Sequence, residues 1–275
     1  MPELPELEVI KENLTSQIKG KNIKTLKIFK PYILKSYFTE CLTEEKVENI
    51  QRRGKYLIVT LTHYRIIIHL MLRGSIQYSL PGYRVKKNTA ALLEFEDGTV
   101  LELSETGHKK RMSLYVLSQD DILRNVENCG LDPLSDNFTL ARFKTILQEE
   151  PQQLKSLLRN QKKIAGIGNA YADEILWKAR ISPFKLSTKL TSSEIRDLYE
   201  GIIEILAWAI AIIRKKGISE KRDFLNVHQR KNLPCPRCNN PIHIVSCSYA
   251  DTFYCPRCQT KGRILKDRRM SKLIR

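Results

Sequence analysis

Two groups of residues at opposite ends of the chain have the types and spacing to do chemistry. The sequence begins Met1-Pro2-Glu3-Leu4-Pro5-Glu6-Leu7-Glu8. Excision of Met1, which the small neighbour Pro2 permits, would expose a secondary amine with a lone pair that no internal residue can present. Attack of such an amine on an electrophilic carbon such as a sugar C1′ gives an iminium that is cationic without an added proton, and an obligate cation is a good electron sink for elimination. Glu3, immediately adjacent, is placed to act as acid and base. At the other end, Cys235-x₂-Cys238-x₁₆-Cys255-x₂-Cys258 has the spacing of a four-thiolate zinc ribbon. Four thiolates leave no open position for a substrate, so a single Zn²⁺ here would be structural. Arg237, Arg257, Lys261, Arg263, Lys266, Arg268 and Arg269 surround this clip and could lie along phosphates.

Three further motifs carry weaker signals. Lys162-Lys-Ile-Ala-Gly-Ile-Gly168-Asn169-Ala-Tyr-Ala-Asp-Glu174 joins two helical segments by a glycine-rich turn, where a helix N-terminus offers unpaired N–H groups to a phosphate and Asn169 adds a side-chain donor. Taken alone, such a turn is more often only a helix junction. Lys55 follows Gln51-Arg-Arg-Gly54 at the start of a strand, where a lysine by itself reads as solvated. The basic run Lys109-Lys110-Arg111 precedes Met112, and a basic group beside an apolar wedge is an arrangement that fills a stack vacated by a flipped base. His69 has no partner at metal spacing and reads as a core histidine.

These residues have to be positioned by a substantial fold. The 275-residue chain is long enough for two compact domains, or one large domain and a small module, and its 42% hydrophobic content argues against disorder. A formal charge of +17 makes nucleic acid the default partner. No apolar run reaches the roughly 20 residues of a membrane span; Ile202 to Ile213 is too short and contains Glu204. Glu3, Glu6 and Glu8 do not fit a secretory signal, so a cytoplasmic protein is expected, with Cys41, Cys129 and Cys247 as reduced thiols.

Leu7, Ile10, Leu14 and Ile18 recur at helical spacing and predict an amphipathic helix of about four turns. Short β-type runs follow at 55–61, 65–72, 90–95, 99–103 and 112–117, separated by Arg53-Gly54, Pro81-Gly82 and Asp97-Gly98. They predict an antiparallel sandwich or barrel. Helices are expected over 138–149, 151–160, 170–179 and 192–215, the last opened by a Thr191/Glu194 capping box and closed by Gly217. From about Leu233 the chain has too few large apolar residues for its own core and must depend on metal.

Together these pieces resemble the formamidopyrimidine-DNA glycosylase and endonuclease VIII family of base-excision-repair enzymes. Pro-Glu-Leu-Pro-Glu, Arg-Arg-Gly-Lys, Ile-Ile-Ile-His-Leu, Ile-Ala-Gly-Ile-Gly-Asn-x-Tyr-Ala and the terminal finger occur in the family's order across nearly the whole chain. The resemblance implies an α+β, multidomain fold: an N-terminal β-sandwich with its N-terminal helix (1–125), a helical helix–two-turn–helix domain (126–232), and a zinc ribbon with a basic tail (233–275). It implies Pro2 as Schiff-base nucleophile, Glu3 as proton shuttle, Lys55 as a contact to the damaged nucleotide, and Asn169 with Gly168 as a phosphate grip. Departures stand at three positions. His69-Leu-Met-Leu72 places Leu72 where the family has its void-filling methionine, with Met71 as the alternative; Lys109-Lys110-Arg111-Met112 replaces Arg-Arg-Phe-Gly; and Ala250 stands where the finger carries an arginine, a role open to Arg257 or to the tail 261–275.

The expected function is a bifunctional DNA glycosylase and abasic-site lyase acting as a monomer on damaged duplex DNA, with no small-molecule cofactor and no membrane association. The rival is a non-catalytic lesion binder or zinc-ribbon module on the same scaffold, for which a nucleophilic terminus would be superfluous. Family members that excise 8-oxoguanine cover the flipped purine with a loop between the last helix and the finger, and the flanking segments resemble Lys221-Arg-Asp-Phe224 and Leu225-Asn-Val-His-Gln-Arg230, here directly joined.

Overall fold

The computed structural model describes residues 1–38, 42–121, 123–219, 222–247 and 250–265. Helix α1 (Leu4–Ile18) opens the chain, and its buried stripe of Leu7, Ile10, Leu14 and Ile18 is the one the periodicity predicts. Eight strands follow: β1 (Ile23–Ile28), β2 (Val47–Arg53), β3 (Tyr56–Leu61), β4 (Tyr64–His69), β5 (Gly74–Ser79), β6 (Thr89–Phe95), β7 (Val100–Glu105) and β8 (Ser113–Ser118). They form two antiparallel four-stranded sheets, ordered β1-β6-β7-β5 and β2-β3-β4-β8. In β3 the side chains alternate, so Leu57, Val59 and Leu61 are fully buried between half-buried neighbours. They share one apolar core with Ile66, Ile68, Leu93, Leu101, Leu103, Leu114 and the buried face of α1. Short α2 (Arg124–Glu127) ends this region.

The chain divides into two units, residues 1–128 and 129–275. In the second, α3 (Leu140–Gln148), α4 (Leu154–Arg159), α5 (Asn169–Lys178) and α6 (Ser192–Lys216) pack together, followed by the hairpin β9 (His243–Cys247) and β10 (Ala250–Tyr254) and by α7 (Pro256–Thr260). Thr191 caps α6 in a capping box with Glu194, and Gly217 closes it at φ +83°. α3 and α4 begin two or three residues later than periodicity suggests because Thr139 is the N-cap of α3 and Gln153 that of α4. Among the described residues no helix is long and apolar enough to cross a membrane.

The segment before α3 lies directly on the turn before α5. Gly130 N–H donates to the Gln161 carbonyl at 2.8 Å, Leu131 N–H to Lys163 at 3.0 Å, and Ala165 N–H back to Leu131 at 2.9 Å. A Cβ on Gly130 would lie 2.3 Å from the Lys163 carbonyl carbon. Gly201, inside α6, has its nearest neighbours at 3.5 Å or more, which is ordinary contact. Gly130→Ala is therefore expected to destabilise the second unit by ~1–3 kcal/mol or more through overpacking against backbone. Gly201→Ala should stabilise it by ~1 kcal/mol through helix propensity. Calorimetric melting of the two variants should shift in opposite directions.

Candidate functional site

The amino terminus is fixed by local capping chemistry. Glu3 is the N-cap of α1 in extended backbone (φ −115°, ψ −172°), and its N–H donates to Glu6 Oε2 at 2.9 Å. Pro5 stands in the first turn, where its missing N–H removes no helical hydrogen bond. Glu3 and Glu6 are each 3% exposed, while Pro2 is half-buried. One turn on, Glu8 accepts from Arg52 Nε at 2.7 Å, and Arg52 Nη1 donates to the Gly54 carbonyl at 3.0 Å. Arg52 is thereby joined both to α1 and to the β2–β3 connection. That connection is a two-residue turn, Gly54-Lys55, between the paired residues Arg53 and Tyr56, with Gly54 at φ +56°. Lys55 is buried at its tip, 8% exposed, and is not the solvated lysine that its local sequence suggests. α1 itself packs on β2 and β3.

The β4–β5 turn and the β7–β8 loop form a second constellation in the same unit. β4 ends at His69, earlier than the apolar run to Leu72 suggests, and Leu72 stands 52% exposed in the turn. Met71 precedes it at φ +53°. Thr106 N–H donates to the Arg73 carbonyl at 3.2 Å, which ties the two loops. Buried Glu105 organises the second loop, its Oε1 accepting from Arg111 N–H at 2.8 Å and Met112 N–H at 3.0 Å, while Lys110 Nζ donates to the Glu105 carbonyl. Burial, then the Glu105 carboxylate, pushes the nearby Tyr32 hydroxyl up to about 12. Lys110 and Arg111 are exposed. Met112 is not an exposed wedge. It is 0% exposed and belongs to the sandwich core, because it directly precedes β8 and lies beneath Gly74, where a Cβ would meet its Sδ at 2.9 Å.

In the second unit Gly168 is the buried N-cap of α5 and Asn169 its first residue, half-buried. Asn169 Nδ2 donates to the Asp251 carbonyl in β10 at 3.0 Å, and the same carbonyl accepts from Lys155 Nζ at 2.7 Å. Lys155 also pairs with Asp173 at 2.6 Å, and the other Asp173 oxygen lies 2.8 Å from His228 Nδ1. Glu174 is fully buried and accepts four hydrogen bonds from Asn226, Val227 and His228. Burial pushes its carboxyl above the ordinary range, and those donors act in the opposite direction.

Cys235, Cys238, Cys255 and Cys258 present sulfurs that all lie within 4.8 Å of one another. The Cys235–Cys258 and Cys238–Cys255 sulfurs are 3.9 and 3.4 Å apart, too far for disulfides. A tetrahedral ion with sulfur ligands at ~2.3 Å requires separations of this order. Burial opposes charge on Cys235, yet the Trp177 indole N–H at 3.4 Å and nearby backbone N–H groups draw its thiol down to about 7. Burial pushes the Cys255 and Cys258 thiols up, and a bound cation would favour their thiolate forms. The donor set therefore fits one structural metal ion. Arg237 stacks on Trp177 at 4.2 Å from the ring centre. Arg257 is exposed on α7, as are Lys261 and Arg263 just beyond it. Cys41 and Lys266–Arg275 lie outside the described residues, as does the Cys247 side chain; Cys129 is buried and is in no disulfide.

Comparison with known proteins assigns this architecture. The model of the formamidopyrimidine-DNA glycosylase N-terminal domain matches residues 1–111, and that of the formamidopyrimidine-DNA glycosylase H2TH domain matches residues 129–222. A formamidopyrimidine-DNA glycosylase of Enterococcus faecalis is 35% identical over 97% of the chain and 100% of the relative. The chain belongs to the formamidopyrimidine-DNA glycosylase family. The counterpart from Pelotomaculum thermopropionicum is 31% identical over 94% of this chain and 99% of its own. Among solved structures, the Lactococcus lactis Fpg in complex with abasic-site DNA superposes with TM-score 0.86 at 28% identity, covering 94% of this chain and 99% of that one. MutM in complex with carbocyclic 8-oxo-G DNA gives 0.85 at 30% identity over 94% and 100%.

Glu8, Arg52, Glu105, Lys155 and Asp173 fix the surroundings of the expected site residues, a role that their local sequence does not signal. The signal for Arg52 was the Arg-Arg-Gly turn itself, read as context for Lys55 and not as the anchor of the hairpin. For the cysteine cluster, metal analysis should find one ion per chain, lost in Cys238→Ser. Chelation should also change the fluorescence of Trp177, whose indole touches Cys235, and a Trp177→Phe variant should lack that response.

Proposed function

We propose that this family member is a bifunctional DNA glycosylase of base-excision repair, acting on damaged duplex DNA and cleaving the strand through a Pro2 Schiff base. The observation that carries the reading is the placement of Pro2 immediately before the buried N-cap Glu3, on the helix joined through Glu8 and Arg52 to the turn bearing Lys55. Removal of Met1 gives the Pro2 amine. Its nitrogen attacks C1′ as the C1′–base bond breaks and the base departs with a proton. Opening of the sugar ring, with O4′ protonated by Glu3, leaves an iminium between Pro2 and C1′. Loss of a C2′ proton then expels the 3′ phosphate by elimination, and water releases Pro2 from the sugar remnant.

In the proposed complex Lys55 holds the phosphate of the extruded nucleotide, Leu72 enters the vacated stack, and Lys110 and Arg111 meet the opposite strand. Asn169 with the Gly168 helix start, Arg257 and the basic tail grip phosphates. The cysteine cluster takes Zn²⁺, which stabilises the hairpin beside Asn169 and has no part in bond breaking. The protein works as a cytoplasmic monomer without a small-molecule cofactor, and its parts follow the boundaries 1–125, 126–232 and 233–275.

Borohydride added to the processed protein with an abasic-site duplex should yield a covalent protein–DNA adduct. Pro2→Gly should diminish it, and Glu3→Gln should slow base release by about 100-fold or more, the range for loss of a positioned proton-transfer group. A protein that binds the lesion but never traps would be a binder on this scaffold. Equally, full activity in protein whose measured mass retains Met1 would eliminate Pro2, since its nitrogen would be an amide.

Lesion choice follows from the short link after α6. Nine residues, 217–225, separate that helix from Asn226, which is pinned to Glu174. With so little chain to cover a flipped purine, base-specific contacts are few. Single-turnover rates on matched duplexes should place 8-oxoguanine below abasic sites, ring-opened purines and oxidised pyrimidines; 8-oxoguanine as the fastest substrate would refute this.

A further inference from the structure

The turn that carries Leu72 is held in a backbone form its own residues do not favour. Met71 has φ +53°, the left-handed region in which a Cβ crowds the following carbonyl. Two hydrogen bonds hold it there: Gly74 N–H to the Leu70 carbonyl at 2.9 Å, and Met71 N–H to His69 Nδ1 at 3.1 Å. Leu70 anchors the turn in the core at 2% exposure. Gly74 is confined as well, because a Cβ there would lie 2.3 Å from the Leu70 oxygen. The backbone on both sides of Leu72 is thus fixed, and one of the two bonds depends on a side chain.

An Nδ1 that accepts a hydrogen bond carries no proton, so the His69 ring is neutral with its hydrogen on Nε2. Its surroundings favour this form: burial first, and then the positive charge of Lys55, bring His69 down to about 4. The ring also meets Tyr56 edge-on, with centroids 4.7 Å apart, and Tyr56 directly follows Lys55. His69 therefore touches the strand that continues from Lys55 and the turn that presents Leu72. A histidine serving only as core filling could be exchanged for an apolar ring; one serving as an acceptor could not.

We propose that His69 is a positioning residue for lesion recognition: its neutral Nδ1 holds Met71 left-handed and so sets the direction in which Leu72 leaves the turn, in register with the Lys55–Tyr56 strand start. The inference rests on the glycosylase reading, in which Leu72 enters the stack.

Two variants and one spectrum test it. His69→Phe keeps the ring against Tyr56 without an acceptor, whereas His69→Asn shortens the side chain but restores one at Oδ1. The probe is a duplex with a tetrahydrofuran abasic analogue opposite 2-aminopurine, whose fluorescence rises when a side chain unstacks it. His69→Phe should lose most of that rise and about tenfold of the preference for this duplex over an undamaged one, the scale of one lost hydrogen bond. His69→Asn should recover both to within about threefold by the same reasoning. In the intact protein, two-bond ¹H–¹⁵N correlation at neutral pH should show His69 protonated on Nε2 alone. Equal behaviour of Phe and Asn variants, or a ring protonated on Nδ1, overturns the proposal, and the spectrum remains decisive if a variant fails to fold. Absence of trapping by the intact protein on abasic DNA would instead overturn the glycosylase reading.

Discussion

The ion pair between Glu8 and Arg52 is the constraint on which the proposed chemistry depends. A chain terminus is ordinarily the least ordered part of a protein, yet a nucleophile there has to be held to within a fraction of an ångström. At 2.7 Å, with Arg52 4% and Glu8 13% exposed, the pair is removed from most solvent screening. Burying two charges costs desolvation that their attraction only partly offsets, so its value lies less in net stability than in fixing geometry. Arginine suits the task because its planar fork reaches two acceptors at once, and a lysine could not span Glu8 and the Gly54 carbonyl in the same way. The pair registers the helix that begins at Glu3 against the turn that carries Lys55.

The second unit solves a similar problem around a carbonyl oxygen. Asp251 lies on the hairpin that leads to Cys255, and its carbonyl receives both Lys155 and Asn169. Lys155 is 5% exposed and balanced by Asp173, whose second oxygen is occupied by His228. The amide of Asn169 is therefore oriented by a strand that packs in a small apolar cluster with Trp177, Val227, Ile242 and Phe253. Through this carbonyl the hairpin that leads to Cys255 bears on the helix start at Gly168-Asn169. A metal ion held by the cluster would in this way bear on the amide of Asn169.

Much of this was legible in the sequence where a local pattern determines the result. The spacing of Leu7, Ile10, Leu14 and Ile18 specifies α1, the alternation in β3 specifies its buried face, and the cysteine spacing specifies the cluster. β2 and β5 were not legible, since Val-Glu-Asn-Ile-Gln-Arg-Arg and Gly-Ser-Ile-Gln-Tyr-Ser carry too few apolar residues to stand out from loops. β4 ends three residues before its apolar run does, because the bond from Met71 N–H to His69 turns the chain although Leu70, Met71 and Leu72 continue the run. The basic run before Met112 suggests a surface, whereas the pairing of His69 with Ser113 sets Met112 at the edge of β8 over the core. Glu8 with Arg52, and Lys155 with Asp173, join residues far apart in the chain and have no local signature.

The rigidity of the Leu72 turn bears on how damage would be selected. Arg73 is bonded to Thr106, Glu105 pairs with Gly74 across the β5–β7 ladder and accepts from Arg111 and Met112, and Gly74 closes on Leu70. Leu72, Lys110 and Arg111 thus belong to one fastened edge of the sandwich and cannot adapt separately to different duplexes. Insertion of a fixed wedge costs unstacking that is lower where a base is damaged, mispaired or absent. With few contacts to the extruded base, discrimination on the proposed reading falls mainly on this unstacking step, and lesions that weaken stacking are favoured over those that preserve it. Oxidised pyrimidines that have lost planarity, ring-opened purines and abasic sites weaken the stack, whereas 8-oxoguanine stacks nearly as well as guanine, so on the proposed reading a fastened edge favours the former.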